Sequence, residues 1–368
     1  VQFRQLALQN FRSYSHADIE FSEGLTVIVG ANGHGKTNLL EALGLLAGLG
    51  SFRGASDAVL IRDGSEKAAL RCHGVGEANR ELDIELELDR ARSKKIRLNQ
   101  QVVSRRRELL AVAPATVLSP DDLELVKGEP ERRRRWLDDA LAAVRPSLAT
   151  LRSELDRILR QRNTLLRQAS GRLGDDIKVT LDVWDEKLSD VGDQLRAHRR
   201  ELLDALTPQI RQLYGYISGG SDTAGARYVS CWGETSLADA LSTARSDDLR
   251  RATTTVGPHR DDVLLEISGL PARSHSSQGE KRSLALTLRL AVDDEIRSRL
   301  RTAPTLLLDD VFSELDTIRA AALLEALPQG QRILTTPTSL LPQGLQPDQL
   351  VEVTEGTAMS LSSDKMQA

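Results

Sequence analysis

Apolar and polar positions alternate along the chain in three regimes. Up to about residue 104, short apolar runs are broken by turns: Leu6-Ala7-Leu8 and Ile19-Glu20-Phe21 fit the arms of a hairpin, and Leu25-Thr26-Val27-Ile28-Val29 fits a buried strand. The run from Lys36 to Leu43 is a strong helix former, ended by Gly48, Gly50 and Gly54. Leu82, Ile84, Leu86 and Leu88 alternate with Asp83, Glu85, Glu87 and Asp89, a period of two that predicts an antiparallel strand with one wet acidic face. Lys94 to Leu98 fits its return strand, with the next turn at Asn99-Gln100.

From about Glu108 to Leu249 the period lengthens to that of helices. Pro130-Glu131 opens a helix whose apolar stripe is Trp136, Leu137, Ala140, Leu141 and Val144. Its first turns carry Arg132 to Arg135, which at about 100° per residue do not share a face. Arg133 falls on the side of Trp136 and is expected in a structural ion pair. Arg132 and Arg135 can face a polyanion, and both roles stay open for the cluster as a whole. Leu148, Leu151, Leu155, Ile158 and Leu165 continue the rhythm to Ser170-Gly171, and a second run extends from Trp184 to Leu206, with a kink expected at Pro208. This predicts an antiparallel helical pair with arms reaching about 30 and 60 Å at most. His198 falls in its seam and is expected as a packed core histidine rather than a ligand.

Beyond Ala252 the sheet pattern returns, with Thr253 to Val256, a polar turn from Gly257 to Asp262, and Val263 to Ile267. A helix is expected from the Ser277 region to about Leu300. Thr305 to Leu308 predicts a strand ending in Asp309-Asp310, Gln331 to Thr336 one more buried strand, and the tail after Ser362 a frayed end.

With 368 residues, 40% hydrophobic and 28% charged, the chain has room for two or three globular domains. No apolar run approaches the length of a membrane span, and Val1-Gln2-Phe3-Arg4 lacks the regions of a signal peptide, so a cytoplasmic location and no membrane partner are expected. The two cysteines, Cys72 and Cys231, are far apart, which fits a reducing compartment and argues against zinc. A net charge of −4 leaves a basic face possible, and 3% aromatic content favours backbone contact over base stacking if the partner is nucleic acid.

The most specific chemistry lies at Gly30-Ala31-Asn32-Gly33-His34-Gly35-Lys36-Thr37, which matches G-x-x-x-x-G-K-[ST] between a strand and a helix. Gly30, Asn32, Gly33, Gly35, Lys36, Thr37 and Asn38 are therefore the candidate nucleotide contacts. Loop N–H groups and the helix N-terminus face the phosphates, Lys36 reaches the β/γ-phosphates, and Thr37 ligates Mg²⁺. Asp309, at the end of an apolar strand, is the expected second metal residue, and Asp310 is placed to orient or deprotonate the attacking water. Ser277-x-Gly279-Glu280 can form a capping box and can equally offer an anion site, since both use the same free N–H groups.

The order of Ser277-Gln278-Gly279-Glu280, Asp309-Asp310 and Ser313-Glu314-Leu315-Asp316 resembles the signature, Walker B and D-loop of ABC-type ATPases. That resemblance implies that Ser277 and Gly279 bind the γ-phosphate on the opposite subunit, so that ATP binding builds a homodimer. Leu8-Gln9-Asn10-Phe11-Arg12-Ser13-Tyr14, Ser51-Phe52-Arg53-Gly54, Ser119-Pro120-Asp121-Asp122-Leu123, Val126-Lys127-Gly128 with the arginine run, and Gly257-Pro258-His259-Arg260-Asp261-Asp262 narrow it further. Together with the phosphate loop and Leu308-Asp309-Asp310-Val311, they resemble the RecF family of bacterial repair ATPases over nearly the whole chain.

The resemblance implies an α/β fold: an ABC-type P-loop ATPase head with mixed sheets, formed by residues 1–108 and 250–368, plus an inserted antiparallel helical lobe at 109–249. It implies that Arg12 approaches the phosphates and that Ser119-Pro120-Asp121 couples nucleotide to the helical lobe. It further implies a weak, DNA-stimulated ATP hydrolase acting as a switch, a dimeric clamp on double-stranded and gapped DNA with Arg132 and Arg135 as candidate contacts, nucleoid association when bound, and RecR, RecO and RecA as partners. Glu280 departs from the commoner Gln, and is expected to turn back into its own helix. A transporter or nuclease ATPase subunit would share the three motifs. The helical insertion and the lack of an accompanying membrane span speak against the first, and the few carboxylates after Asp316 against the second.

Overall fold

Strand β3 (Leu25–Val29) is buried at every position, as a continuous apolar run covered on both faces must be. It lies inside a sheet with β8 (Ala115–Leu118), β12 (Thr305–Asp309), β13 (Arg332–Thr336), β14 (Gln349–Thr354) and β15 (Thr357–Leu361), in the order β15-β14-β3-β13-β12-β8. Only the β14–β15 pairing is antiparallel. A second sheet, β2-β1-β4-β5-β6-β7, is antiparallel throughout and comprises β1 (Gln2–Phe11), β2 (Tyr14–Glu20), β4 (Lys67–Val75), β5 (Glu81–Asp89), β6 (Lys95–Leu98) and β7 (Gln101–Val103). The expected hairpin and the acidic alternating strand with its return strand are therefore present.

The computed structural model describes residues 1–76, 79–103, 106–169, 174–220, 222–313, 315–337 and 344–361. It separates into two compact units: Val1–Leu123, Gln212–Ser221 and Gln278–Ala368 form one, and Glu124–Arg211 with Asp222–Ser277 the other. The first contains both six-stranded sheets. Its helices include α1 (Lys36–Leu46), α2 (Asp57–Leu60), α3 (Arg106–Val112), α10 (Gln278–Leu300) and α11 (Thr317–Ala326), while α4 (Leu123–Lys127) runs across the boundary. Leu39, Leu40 and Leu43 of α1 pack with Ile28, Leu307 and Ile333 in one apolar core, and Leu286 and Leu290 of α10 with Val27, Leu306 and Leu308 in another.

The second unit is built from α5 (Pro130–Val144), α6 (Leu151–Ala169), α8 (Leu237–Arg251), α9 (Ala272–His275) and most of α7 (Asp175–Ser218), with a sheet β11-β10-β9 of β9 (Ala224–Val229), β10 (Asp262–Ile267) and β11 (Leu270–Pro271). Helices α6 and α7 run antiparallel: Arg162 meets Asp185, while Leu151 and Ile158 share a groove with Val191 and Gln194. Ser170, Gly171 and the tail beyond residue 361 lie outside the described residues.

The compact units divide at 123/124 and 277/278, with Gln212–Ser221 in the first; β8 pairs with β12 of the central sheet, and β10 pairs with β9. Helix α7 runs on through Pro208. Two expectations are corrected. Thr253 to Val256 forms no strand: the Thr254 N–H is taken by Asn163 Oδ1 at 2.8 Å and the Thr255 N–H by Asp248 Oδ1 at 2.8 Å, so side chains occupy the donors a ladder would use. His198 is only half-buried, 3.4 Å from Arg145 Nη1, and the next residue, Arg199, is the buried one.

Candidate nucleotide site

Residues 30–35 leave β3 and turn into α1, so the loop is fixed at both ends by buried structure. Two of its glycines are required by space. A Cβ on Gly30 would stand 2.3 Å from the Val353 carbonyl oxygen, and one on Gly35, whose φ is +113°, 2.7 Å from Ser13 Oγ. The Tyr14 hydroxyl donates to the Gly35 carbonyl at 3.1 Å, and the Gly356 N–H to the His34 carbonyl at 3.2 Å, bracing the loop from the β1–β2 and β14–β15 turns.

Lys36 curls back over this loop and donates to the carbonyl oxygens of Gly30 and Ala31 at 2.7 and 3.0 Å. Burial holds its pKa below the usual lysine value, against the pull of the Asp310 and Asp309 carboxylates. The Thr37 hydroxyl donates to Asp309 Oδ1 at 2.8 Å, and Thr335, at the end of the neighbouring strand β13, to the same oxygen at 2.7 Å. Burial raises the Asp309 pKa, while these two hydrogen bonds and the charge of Arg53 favour its carboxylate. A hydroxyl and a carboxylate this close, beside a phosphate loop, are hard oxygen donors of the kind magnesium takes, so the residues fit that ion. Asp310 follows directly, with its backbone in the left-handed region at φ +49° and its N–H directed at the Thr335 carbonyl and hydroxyl oxygens at 3.2 and 3.1 Å. A non-glycine residue held there carries local backbone strain, which surrounding structure must enforce.

The rim is cationic. Arg12 Nε and Nη2 grip both carboxylate oxygens of fully buried Glu41 at 2.8 and 2.9 Å, and Arg12 Nη1 lies 3.4 Å from the Val59 carbonyl oxygen. Arg53 donates to Asn38 Oδ1 at 3.3 Å, and Asn38 Nδ2 donates to Ser13 Oγ at 3.0 Å. Thr335 carries no motif signal in the sequence, and Arg53 is marked there only by the family segment Ser51-Phe52-Arg53-Gly54. Asn32 and Gly33 occupy the exposed tip of the loop.

Behind the site, Pro120–Asp122 forms a 3-10 turn whose Asp122 Oδ2 accepts from the Ser119 N–H at 2.9 Å. The same carboxylate's Oδ1 accepts from Arg289 Nε and Nη2 on α10 at 2.9 and 2.7 Å, tying the segment read as a coupling loop to the helix that carries Gly279 and Glu280 in its first turn. Ser277 stands exposed immediately before that helix. Glu314 lies outside the described residues.

In the second unit, Arg133 forms a two-pronged pair with Asp262 at 2.8 and 2.9 Å, as its place on the apolar side of α5 predicts. Arg134 donates to the Asp261 carbonyl oxygen. Arg132 and Arg135 are the exposed members of the run, Arg135 with Glu131 one turn away at 3.3 Å.

The model of the RecF/RecN/SMC N-terminal domain matches residues 2–356. The DNA replication and repair protein RecF of Streptomyces avermitilis is 41% identical over 346 residues, covering 90% of this chain and 92% of that protein. The chain belongs to the RecF family. A solved structure of the recombination mediator protein RecF with ATP, described as part of the RecFOR pathway, superimposes with a TM-score of 0.90 at 29% identity, over 98% of each chain. An Smc head bound to the C-terminal winged-helix domain of ScpA gives 0.57 at 19% identity, over 99% of each chain, a likeness of fold alone. The RecF-family assignment accounts for the α/β head with mixed sheets. Among the described residues, no helix is long and apolar enough to cross a membrane.

Proposed function

We propose that this RecF-family chain is an ATP-dependent DNA-repair protein whose nucleotide site works as a switch. ATP binding closes two copies head to head, the closed dimer holds duplex DNA at single-strand gaps, and slow, DNA-stimulated hydrolysis releases it. The observation that carries the reading is the Thr37–Asp309 contact of 2.8 Å, which joins the two expected metal residues from elements 272 positions apart.

Lys36 exchanges its two carbonyl partners for β- and γ-phosphate oxygens, gaining charge-assisted bonds. The loop N–H groups and the α1 N-terminus hold the remaining phosphate oxygens. Thr37 and Asp309 would hold Mg²⁺, which would supply positive charge to offset that building on the phosphates. Asp310 orients the attacking water, and Arg12, braced by Glu41, presents Nη1 toward the phosphates. Ser277 and Gly279 complete the site of a second copy. Arg132 and Arg135 offer charge to the DNA backbone.

The name of the solved relative's pathway, RecFOR, supports RecR and RecO as partners; RecA as the protein loaded downstream, and a place in the cytoplasm and on the nucleoid, are part of the same proposal. The comparisons favour repair over a transporter or nuclease subunit, neither of which appears among the relatives described above. The test measures dimerisation and gapped-DNA binding together, with and without ATP and Mg²⁺. Both should rise with ATP, and Lys36→Ala should abolish both responses in sedimentation and fluorescence anisotropy. DNA affinity should fall with salt at a logarithmic slope of about −0.9 per phosphate neutralised. An undiminished Lys36→Ala dimer, or flat salt dependence, would overturn the switch or the backbone contact respectively.

A further inference from the structure

Gly279 is the second residue of α10 and has an ordinary helical backbone, so its conformation does not demand glycine. Its surroundings do. A Cβ there would lie 2.4 Å from Arg319 Nη1, 3.0 Å from Arg319 Cζ and 3.3 Å from Arg319 Nη2. The guanidinium of Arg319, from the first turns of α11, therefore fills the space a side chain at Gly279 would take, beside the first turn of α10. It is held there by Asp316: Asp316 Oδ1 caps α11 through the Arg319 N–H at 2.9 Å, and Asp316 Oδ2 accepts from Arg319 Nη1 at 2.8 Å. Among the described residues, Arg319 Nε is buried with no hydrogen-bond partner.

A guanidinium has five donors, and this one uses few of them on a half-exposed carboxylate, a pairing of little strength in water. A phosphate arriving at the α10 N-terminus would meet the helix N–H groups and this cation together. It would outcompete Asp316, because it brings more charge and accepts a planar, two-pronged contact. We propose that Arg319 is a trans-acting phosphate contact: with Ser277 and Gly279 it grips the γ-phosphate of the ATP held by a second copy's loop, exchanging Asp316 for that phosphate as the dimer closes. The proposal rests on the reading that Ser277 and Gly279 complete a partner's site.

Complementation tests it. Arg319→Ala should bind a fluorescent ATP analogue as the unaltered protein does, since its own loop is intact, while its ATP-dependent dimerisation weakens about ten- to a hundredfold. Arg319→Lys should recover part of this loss. Gly279→Ala, which displaces the guanidinium, should resemble Arg319→Ala. Mixing Arg319→Ala with Lys36→Ala should restore ATP-dependent dimers, because the heterodimer holds one site with an intact loop from one copy and an intact Arg319 from the other. A role in the stability of the whole head gives no such recovery. A role confined to shaping the Gly279 turn would complement, but Arg319→Lys, which keeps the charge in another shape, would then recover no more than Arg319→Ala. Normal dimerisation of Arg319→Ala alone would also overturn the proposal. Ser277→Arg mixed with Lys36→Ala serves as the reference. If that pair fails to complement, the trans-signature reading is at fault; if it complements and the Arg319→Ala pair does not, only the role of Arg319 falls.

Discussion

The two units bury charge differently: the head buries carboxylates such as Glu41, Asp122 and Asp293 against partly exposed arginines, while the helical unit buries the arginines themselves. Around the phosphate loop the core is apolar, with Ile28, Leu43, Leu307 and Ile333 each fully buried. In the helical unit, Arg133, Arg162 and Arg199 lie inside, exposing 6, 0 and 2% of their surface. Arg162 binds Asp185 at 2.6 Å and Asp248 at 2.7 Å, and Arg199 binds Asp138 at 2.7 and 2.8 Å. An apolar core is non-directional and forgives small changes of shape, whereas a buried charge is tolerated only while each partner stays in place. The head thus obtains rigidity beneath its chemistry from sheet packing, and the helical unit obtains its particular arrangement from pairings that few alternative packings would satisfy.

The three tryptophans, Trp136, Trp184 and Trp232, all belong to the helical unit, so their fluorescence follows that unit while far-UV circular dichroism follows both. Arg162→Met is the largest test of the contrast. It strands Asp248, which has no exposed surface, and should cost about 3–5 kcal/mol in fluorescence-detected urea unfolding. Adding Asp185→Asn and Asp248→Asn should return much of that loss, because the neutral set no longer buries an unpaired charge. An unchanged midpoint for the single variant would remove the claim that charge pairs fix this unit.

Acid offers the next largest effect. Burial pushes the His259 imidazole down to about 4 from an ordinary 6.5, against the Thr254 carbonyl contact, and the charge of Arg260 adds to the depression. Between those values the unfolded chain binds the proton more readily, so stability is level above pH 6.5 and declines as pH falls toward 4. At about 1.4 kcal/mol per unit the loss is on the order of 2–3 kcal/mol. Asp261, whose pKa burial raises, opposes this, since its folded form takes up a proton more easily. Fluorescence-detected stability from pH 7 to pH 4 should therefore slope downward, and His259→Gln should flatten it. An equal slope in the variant would assign the acid sensitivity to other groups.

The same contrast governs what could be read in the sequence. Strand β3, the phosphate loop and α1 announce themselves by pattern and motif, and the alternation of β5 fixes which of its faces is wet. Arg133 was placed by helical phase alone. Strands β8 and β9 escaped notice because each is short and embedded between helices, and their partners β12 and β10 lie far along the chain. Hydrophobic period carries no information about such pairing. Nor does it separate a seam histidine from a buried arginine one residue later: His198 and Arg199 differ by a single helical step, and distant partners, Asp138, 61 positions earlier, and the Pro258 carbonyl oxygen, decide which turns inward. At the site, Asp309 is legible as a carboxylate ending an apolar strand. Its second hydroxyl partner, Thr335, is supplied by sheet order, which places β13 beside β12.

The smallest effect is expected where the apolar core is trimmed without disturbing charge. Ile333 is fully buried in β13, paired with Leu307 on one side and Thr26 on the other. Ile333→Val removes one methylene and leaves a void too small for water, so it should cost about 0.5–1.5 kcal/mol. The loss should appear in the circular-dichroism midpoint and leave the tryptophan midpoint in place. ATP should still raise the head's stability by the same increment, because the loop glycines, Lys36 and Thr37 keep their backbone supports. If Ile333→Val moved both midpoints equally, the two cores would melt as one and fluorescence could not isolate the helical unit. If it cost as much as Arg162→Met, the distinction between a forgiving apolar core and an exacting charged one would fail at the strand that supplies Thr335 to Asp309.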